Sequence, residues 1–150
     1  AANGVLGTKV VYFEQSPPSE WPRDVLATAT THDLPTVTGI WTGADAQARA
    51  EAGLPEEDHS ESRARVGRLT GDDASAEQAV IDTHRALAAS PARVVLGTID
   101  DVLVVEERPN MPGTTDEWPN WSIALPFELD TLVGGPAPDT LRALTERPGD

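Results

Sequence analysis

The chain has 150 residues, enough for a single domain with one hydrophobic core. Its 25 acidic residues against 11 basic ones give a net charge of −14, which disfavours contact with the phosphate backbone of nucleic acid. Cysteine is absent from the sequence, which excludes disulfides and thiolate metal sites. No apolar run approaches the roughly 20 residues that span a bilayer, and no secretion signal is evident. We therefore expect a soluble cytoplasmic protein.

Two strands are predicted near the start of the chain. Lys9–Phe13 is a continuous apolar run, which is typical of a strand buried on both faces. Pro17 and Pro18 follow it and cannot continue a hydrogen-bonded ladder. Val25–Thr31 is rich in threonine and forms the second predicted strand, which Pro35 brings to an end.

Two helices are predicted next. Ala44–Ala52 is dense in alanine, and Gly53 is well placed to end it in a left-handed conformation. Ser75 and Gln78 have the spacing of a capping box at the start of the second helix. We expect the polar residues 56–63 to be exposed. The second helix has one apolar face, in which we expect the histidine simply to pack: Val80, Ile81, His84, Leu87 and Ala88.

The last third of the chain carries a strand region and a long loop. Arg93–Val105 holds two apolar stretches, Val94–Ile99 and Val102–Val105, and is predicted as the third strand region. Residues 108–122 form a loop rich in Pro, Asn, Gly and Trp, and a loop of that length is more often functional than idle. A further helical pattern begins at Thr140. This alternation predicts an α/β fold with parallel strands.

The helices in this pattern are too few to cover both faces of a three-stranded parallel sheet. We therefore expect the chain to be a fragment of a larger protein. The missing layer would come from the same polypeptide or from another copy. For the isolated chain we expect self-association through exposed apolar strand edges.

His32 and Asp33 follow the second predicted strand directly. Polar residues at the carboxyl ends of parallel strands form the active sites of open α/β sheets and α/β barrels. The alternative is structural, because aspartate is a common N-cap and Asp33 would suit a short helix starting at Leu34. Both interpretations stay open on these residues alone. His59 and His84 show no metal-ligand spacing to the pair, so we expect no metal.

Four tryptophans allow two interpretations. Trp21, Trp118 and Trp121 lie in proline-rich loops, and Trp41 follows Gly39–Ile40. Loop aromatics often act as lids on a core. The alternative is stacking on the apolar faces of sugar rings, with neighbouring Asn and Asp side chains as partners for the hydroxyls.

Four motifs occur in register along the chain: Gly7–Glu14, Thr31–Thr36 with Gly39–Trp41, Asn110–Thr114 and Pro119–Trp121. In order and spacing they resemble the amylomaltase family, the bacterial 4-α-glucanotransferases related to the α-amylase barrels. The match covers most of the chain, and four motifs in register are far more specific than any one of them.

The resemblance implies a fold and a position within it. Members of the family fold as a TIM (β/α)₈ barrel with inserted subdomains, and residues 1–150 resemble one segment, the barrel's C-terminal third. Lys9–Phe13 would be strand six, Val25–Thr31 strand seven and Val94–Ile99 strand eight. The family's nucleophile and general acid lie at the ends of strands four and five, upstream of Ala1. The isolated chain is therefore expected to be inactive.

The resemblance also implies an activity, the transfer of α-1,4-glucan segments by a retaining mechanism without a cofactor. Asp33 would be the third carboxylate of the site, which grips sugar hydroxyls and favours the distorted transition state. His32 and Asn110 would contact substrate, and Phe13 would line the acceptor side. Glu106–Pro109 departs from the more polar lead-in of many relatives, which bears on the placement of the Asn110 loop.

Two other functions remain open. One is a carbohydrate-binding module that keeps the loops of the fold and has lost catalysis. The other is a structural fragment that folds by self-association and binds nothing. An enzyme requires the two further carboxylates, so a longer reading frame that contains them would favour the first interpretation.

Overall fold

The computed structural model describes residues 4–135 and 137–147 and contains a three-stranded parallel sheet. Its strands are β1 (Gly7–Val10), β2 (Val25–Thr28) and β3 (Val94–Leu96), hydrogen-bonded in the order β1-β2-β3. Leu26 pairs with Val94 and Gly7 with Val25. The predicted α/β class with parallel strands is confirmed.

A short 3₁₀ turn, Pro18–Glu20, lies between the first two strands, and the remaining connections are helical. Within residues 4–135 and 137–147, no helix is long and apolar enough to cross a membrane. The helices are α1 (Val37–Thr42), α2 (Ala44–Glu51), α3 (Ser60–Thr70), α4 (Ala76–Ala88), α5 (Ile99–Val102), α6 (Leu129–Gly134) and α7 (Asp139–Thr145).

Helix α4 is the centre of the helical layer and packs against α1, α3 and α7. Its start is as predicted, because the Ser75 hydroxyl accepts the backbone N–H of Gln78 at 3.1 Å. Val80 and Leu87 of the predicted apolar face are fully buried. His84 is buried among them, and its Nδ1 lies 2.8 Å from the backbone oxygen of Thr140 in α7. The predicted packing role of this histidine is confirmed.

All three strands are shorter than predicted. β1 ends at Val10, so Phe13 lies in the turn that follows it. The prediction of a strand at Val102–Val105 is wrong, because Ile99–Val102 is helix α5. The Thr98 hydroxyl accepts the backbone N–H of Asp101 and starts that helix. A short apolar run does not by itself distinguish a strand from a buried helical turn.

Helix α3 is an element that the sequence pattern did not indicate. Its start lies in the stretch predicted only to be exposed, and Val66 is its fully buried residue. Arginines attach it to the rest of the fold. Arg65 donates to the backbone oxygen of Tyr12 at 2.6 Å, and the Arg63 guanidinium lies 4.5 Å from the ring centroid of Trp41.

Gly39 lies where α1 meets the beginning of the Asn110 loop. A Cβ atom on Gly39 would lie 2.5 Å from the backbone oxygen of Glu106, a distance that real Cβ atoms do not show. The glycine lets the helix and the loop approach closely, which gives a physical reason for its place in the Gly39–Trp41 motif.

We expect Gly39→Ala to lower the free energy of unfolding by about 1–3 kcal/mol, because the clash is with backbone in a close-packed region. Urea unfolding followed by circular dichroism measures the loss. Gly134→Ala is the matched control, since an added methyl group there meets open space. Equal stability of the two variants would contradict the close approach.

Candidate active site

The candidate site lies at the carboxyl edge of the parallel sheet. The turn after β1 carries Phe13, and the turn after β2 carries His32 and Asp33. The long loop beyond β3 and α5 brings in Asn110. Consecutive parallel strands end at the same edge, so residues distant in the sequence meet there.

A hydrogen bond joins Asp33 to Asn110, which is 77 residues away along the chain. The Asn110 side-chain amide donates to Oδ1 of Asp33 at 2.7 Å. His32 Nε2 lies 3.3 Å from the other carboxylate oxygen, Oδ2. The side chains of His32 and Asp33 are both more than half exposed, so the group faces solvent. It is a carboxylate, an imidazole and an amide on one surface, a set of donors and acceptors suited to hydroxyl groups.

Phe13 lies at the same edge of the sheet but outside the group of contacting side chains. The structure joins His32, Asp33 and Asn110 by direct side-chain contacts, and it places Phe13 only at the same edge, with an exposed ring. An exposed aromatic at this position is available for apolar contact with a bound molecule.

The N-cap interpretation of Asp33 is wrong. Helix α1 begins at Val37, and Thr36 is its N-cap, since the Thr36 hydroxyl accepts the backbone N–H of Gly39 at 2.9 Å. The turn that carries Asp33 is closed instead by the Thr30 hydroxyl, which donates to the backbone oxygen of Pro35 at 2.7 Å. The Asp33 carboxylate therefore has no role in starting a helix.

A buried ion pair supports the loop that carries Asn110. Arg108 is only 2% exposed, and its Nε and Nη2 each donate to the Asp45 carboxylate at 2.6 Å. Its Nη1 donates to the backbone oxygen of Asp33 at 3.3 Å. Arg108 thus connects helix α2, the Asp33 turn and its own loop. Sequence reasoning missed this pair, because its members are 63 residues apart and no local pattern links them.

The charge on Asp45 is well supported. Burial acts to raise the pKa of its carboxyl, but hydrogen bonds from His59 and Arg108 outweigh it and lower that pKa to about 2. His59 Nε2 lies 3.1 Å from Oδ2 of Asp45. The Asp45 carboxylate therefore stays ionised throughout the neutral pH range.

Asp101 is a second buried carboxyl behind the site, on α5. Its Oδ1 accepts the backbone N–H of Val37 at 2.8 Å, which ties α5 to the start of α1. Its Oδ2 accepts the hydroxyl of Thr98 at 2.9 Å. Burial raises the pKa of Asp101 from 3.8 to about 6, although both hydrogen bonds act to lower it.

Because the folded chain holds a proton on Asp101 more tightly than the unfolded chain, stability falls as the pH rises from about 4 to about 6. We expect Asp101→Asn to remove this pH dependence and to melt at a higher temperature than the wild type above pH 6. The amide keeps partners for Val37 and Thr98 without the buried charge. Melting curves from pH 4 to pH 7 measure the effect, with the exposed Asp73→Asn as control. An unchanged slope in Asp101→Asn would show that another group titrates.

The four tryptophans have different environments. Trp21 and Trp41 are buried, and their indole N–H groups donate to the backbone oxygens of Ser16 and Ala74. Trp118 is half-buried and donates to the backbone oxygen of Arg108 at 3.1 Å. Trp21 and Trp41 thus belong to the hydrophobic core, and Trp118 packs against its own loop. Trp121, by contrast, is 66% exposed.

The fold is that of amylomaltase structures. The crystal structure of amylomaltase from Corynebacterium glutamicum superposes with a TM-score of 0.76 at 22% identity, over 95% of this chain and 26% of that chain. Amylomaltase from Streptococcus agalactiae in complex with acarbose gives a TM-score of 0.62 at 18% identity, over 97% of this chain and 27% of that chain.

The family follows from the sequence comparisons. A family model described as 4-alpha-glucanotransferase matches residues 1–129. Curated 4-alpha-glucanotransferases from Mycobacterium bovis and Mycobacterium tuberculosis are 35% identical in an alignment 147 positions long that covers 81% of this chain. The chain belongs to the 4-alpha-glucanotransferase family, so the resemblance inferred from the motifs is confirmed. The chain spans 20% of the length of these curated relatives.

Proposed function

We propose that this chain is the C-terminal part of a TIM barrel in a 4-α-glucanotransferase that transfers α-1,4-glucan segments to an acceptor glucan. β1, β2 and β3 would be strands six, seven and eight of that barrel, with residues 1–150 as one segment. The observation that carries the proposal is the 2.7 Å hydrogen bond between Asp33 and Asn110 at the carboxyl edge of the sheet. Active sites of (β/α)₈ barrels lie at this edge.

In this proposal Asp33 stabilises the transition state. Its Oδ1 is engaged by Asn110, which fixes the carboxylate, while lone pairs of both oxygens remain open to sugar hydroxyls. Hydrogen bonds to a ring that tighten as the ring distorts lower the barrier without bond-making by the carboxylate. His32 binds the same sugar, and Phe13 gives apolar contact on the acceptor side.

The bond-breaking steps are assigned to residues outside this chain. A retaining transfer needs a carboxylate nucleophile and a general acid about 5 Å apart. The nucleophile attacks the anomeric carbon while the acid protonates the leaving oxygen. The 4-hydroxyl of a second glucan then displaces the nucleophile and gives its proton to the same acid/base group. We place both carboxylates at the ends of strands four and five, upstream of Ala1.

The test compares the full-length polypeptide that contains this chain with residues 1–150 alone, each incubated with maltotriose. We expect the full-length protein to produce glucose and longer maltodextrins with no net gain of reducing ends, because transfer conserves glycosidic bonds. We expect residues 1–150 alone to produce neither, because the nucleophile and acid are missing. Transfer by the isolated chain would overturn the assignment of the bond-breaking groups.

The same experiment separates the enzyme from a carbohydrate-binding module. Maltotriose binding by the full-length protein without any product would favour the module, and neither binding nor product would favour a structural fragment. Calorimetry with maltotriose supplies the binding measurement.

A further inference from the structure

Trp121 has an unusual backbone conformation for an exposed aromatic residue. Its φ is +61°, in the left-handed region that residues other than Gly, Asn and Asp rarely adopt. The indole is 66% exposed, so burial of the ring within this chain does not stabilise the conformation. Strained conformations persist where the surrounding structure enforces them, and they concentrate at functional sites.

The surrounding loop enforces this conformation through two hydrogen bonds. The backbone N–H of Trp121 donates to the oxygen of Pro109 at 2.8 Å. The preceding residue, Asn120, accepts the backbone N–H of Met111 at 2.8 Å with its side-chain oxygen. The first bond attaches Trp121, and the second attaches its neighbour Asn120, to the residues on either side of Asn110, so the backbone at Trp121 is fixed relative to the Asn110 segment.

This attachment directs the indole toward the candidate site. The centroids of the Trp121 and His32 rings are 5.3 Å apart, with the planes tilted by 44°. His32 in turn lies 3.3 Å from the Asp33 carboxylate. A flat apolar surface therefore borders the group of donors and acceptors at which we propose that sugar binds.

We propose that Trp121 is a stacking platform for a glucosyl ring of an α-1,4-glucan, next to the ring held by Asp33. The inference rests on the proposed function and adds a second sugar position to it. The C–H face of the ring would lie on the indole, while its rim hydroxyls reach the His32 imidazole. Trp118 differs, because its ring is half-buried and its N–H is already bonded to Arg108.

The test measures maltotriose transfer by the full-length polypeptide carrying Trp121→Ala, Trp121→Gly or Trp121→Phe. We expect the alanine and glycine variants to raise KM roughly fivefold to tenfold with kcat nearly unchanged, and the phenylalanine variant to recover most of the affinity. Glycine also relieves the positive φ, so we expect its melting temperature to equal or exceed that of the wild type.

Phe127→Ala is the matched control. Its ring is 51% exposed and lines a separate apolar cavity with Val102 and Leu103. We expect its KM to stay at the wild-type value. If Trp121→Ala leaves KM unchanged, or if it loses stability and affinity only to the extent that Phe127→Ala does, the ring packs against protein and the inference fails.

Fluorescence, read before appreciable conversion of maltotriose, gives a measurement of binding. Titration with maltotriose is expected to change the tryptophan emission of the wild type and of Trp118→Phe, and to leave that of Trp121→Phe almost unchanged. An equal response in all three proteins would overturn the platform. If the wild type transfers glucan and the Trp121 substitutions have no effect, only the platform is refuted. If the wild type shows no transfer at all, the proposed function is refuted.

Discussion

Asp33→Asn in the full-length polypeptide is expected to reduce maltotriose disproportionation by roughly 10²–10³-fold, the range for loss of one preorganised electrostatic contact to a transition state. The asparagine side-chain oxygen can still accept the Asn110 amide, so the local structure is retained. The negative charge that strengthens hydrogen bonds to sugar hydroxyls is lost. We therefore expect kcat to fall much more than KM rises.

Initial-rate kinetics and a melting curve check this prediction together. Asp116→Asn is the control, since it makes the same chemical change at an exposed position of the neighbouring loop. Near-normal turnover in Asp33→Asn would remove Asp33 from the transition state. A large drop in melting temperature would instead indicate a structural role.

Arg108→Met is expected to lower the free energy of unfolding of the 150-residue chain by about 3–5 kcal/mol, the usual cost of removing one partner of a buried ion pair. The substitution removes the two shortest hydrogen bonds to the buried Asp45 carboxylate, at 2.6 Å each, and leaves it the longer contact with His59. It also removes the hydrogen bond from Arg108 to the backbone oxygen of Asp33, so the loop that carries Asn110 is no longer attached to the turn that carries Asp33 by this bond.

Two further variants make this test specific. Arg85→Met removes an exposed arginine paired with Asp82, and exposed pairs contribute at most about 1 kcal/mol. The double variant Asp45→Leu/Arg108→Met removes both buried charges, and we expect it to recover most of the lost stability. Urea unfolding at low protein concentration measures all of them. A loss below about 1 kcal/mol in Arg108→Met would mean that solvent reaches the pair.

The elements with strong local signals were predictable from the sequence. Helix α4 has a cap at Ser75 and a continuous apolar face. Helix α2 is followed, just after its C-cap, by Gly53, whose φ of +71° is the left-handed conformation that ends many helices. Helix α3 has neither signal. It is polar almost throughout and is attached to the core by Arg63 and Arg65, whose contacts depend on the tertiary fold.

The site divides in the same way. His32 and Asp33 are adjacent and follow a strand, so a local pattern in the sequence indicates them. Asn110 is indicated only by the family resemblance, because its partner is 77 residues away. The pairing of Arg108 with Asp45 has no local sequence signal, because the two residues are 63 positions apart. The left-handed conformation of Trp121 likewise depends on a hydrogen bond to the distant Pro109.

The register between β2 and β3 sets the positions of the loops that carry Asp33 and Asn110, and so sets the distance between these two side chains. Leu26 pairs with Val94, and the backbone N–H of Arg93 donates to the oxygen of Arg23 just before the paired region. A slip of one residue would move one strand along the other by about 3.3 Å. That shift is larger than the 2.7 Å hydrogen bond itself. A one-residue insertion or deletion that shifted this register would therefore break the contact, although neither Asp33 nor Asn110 had changed.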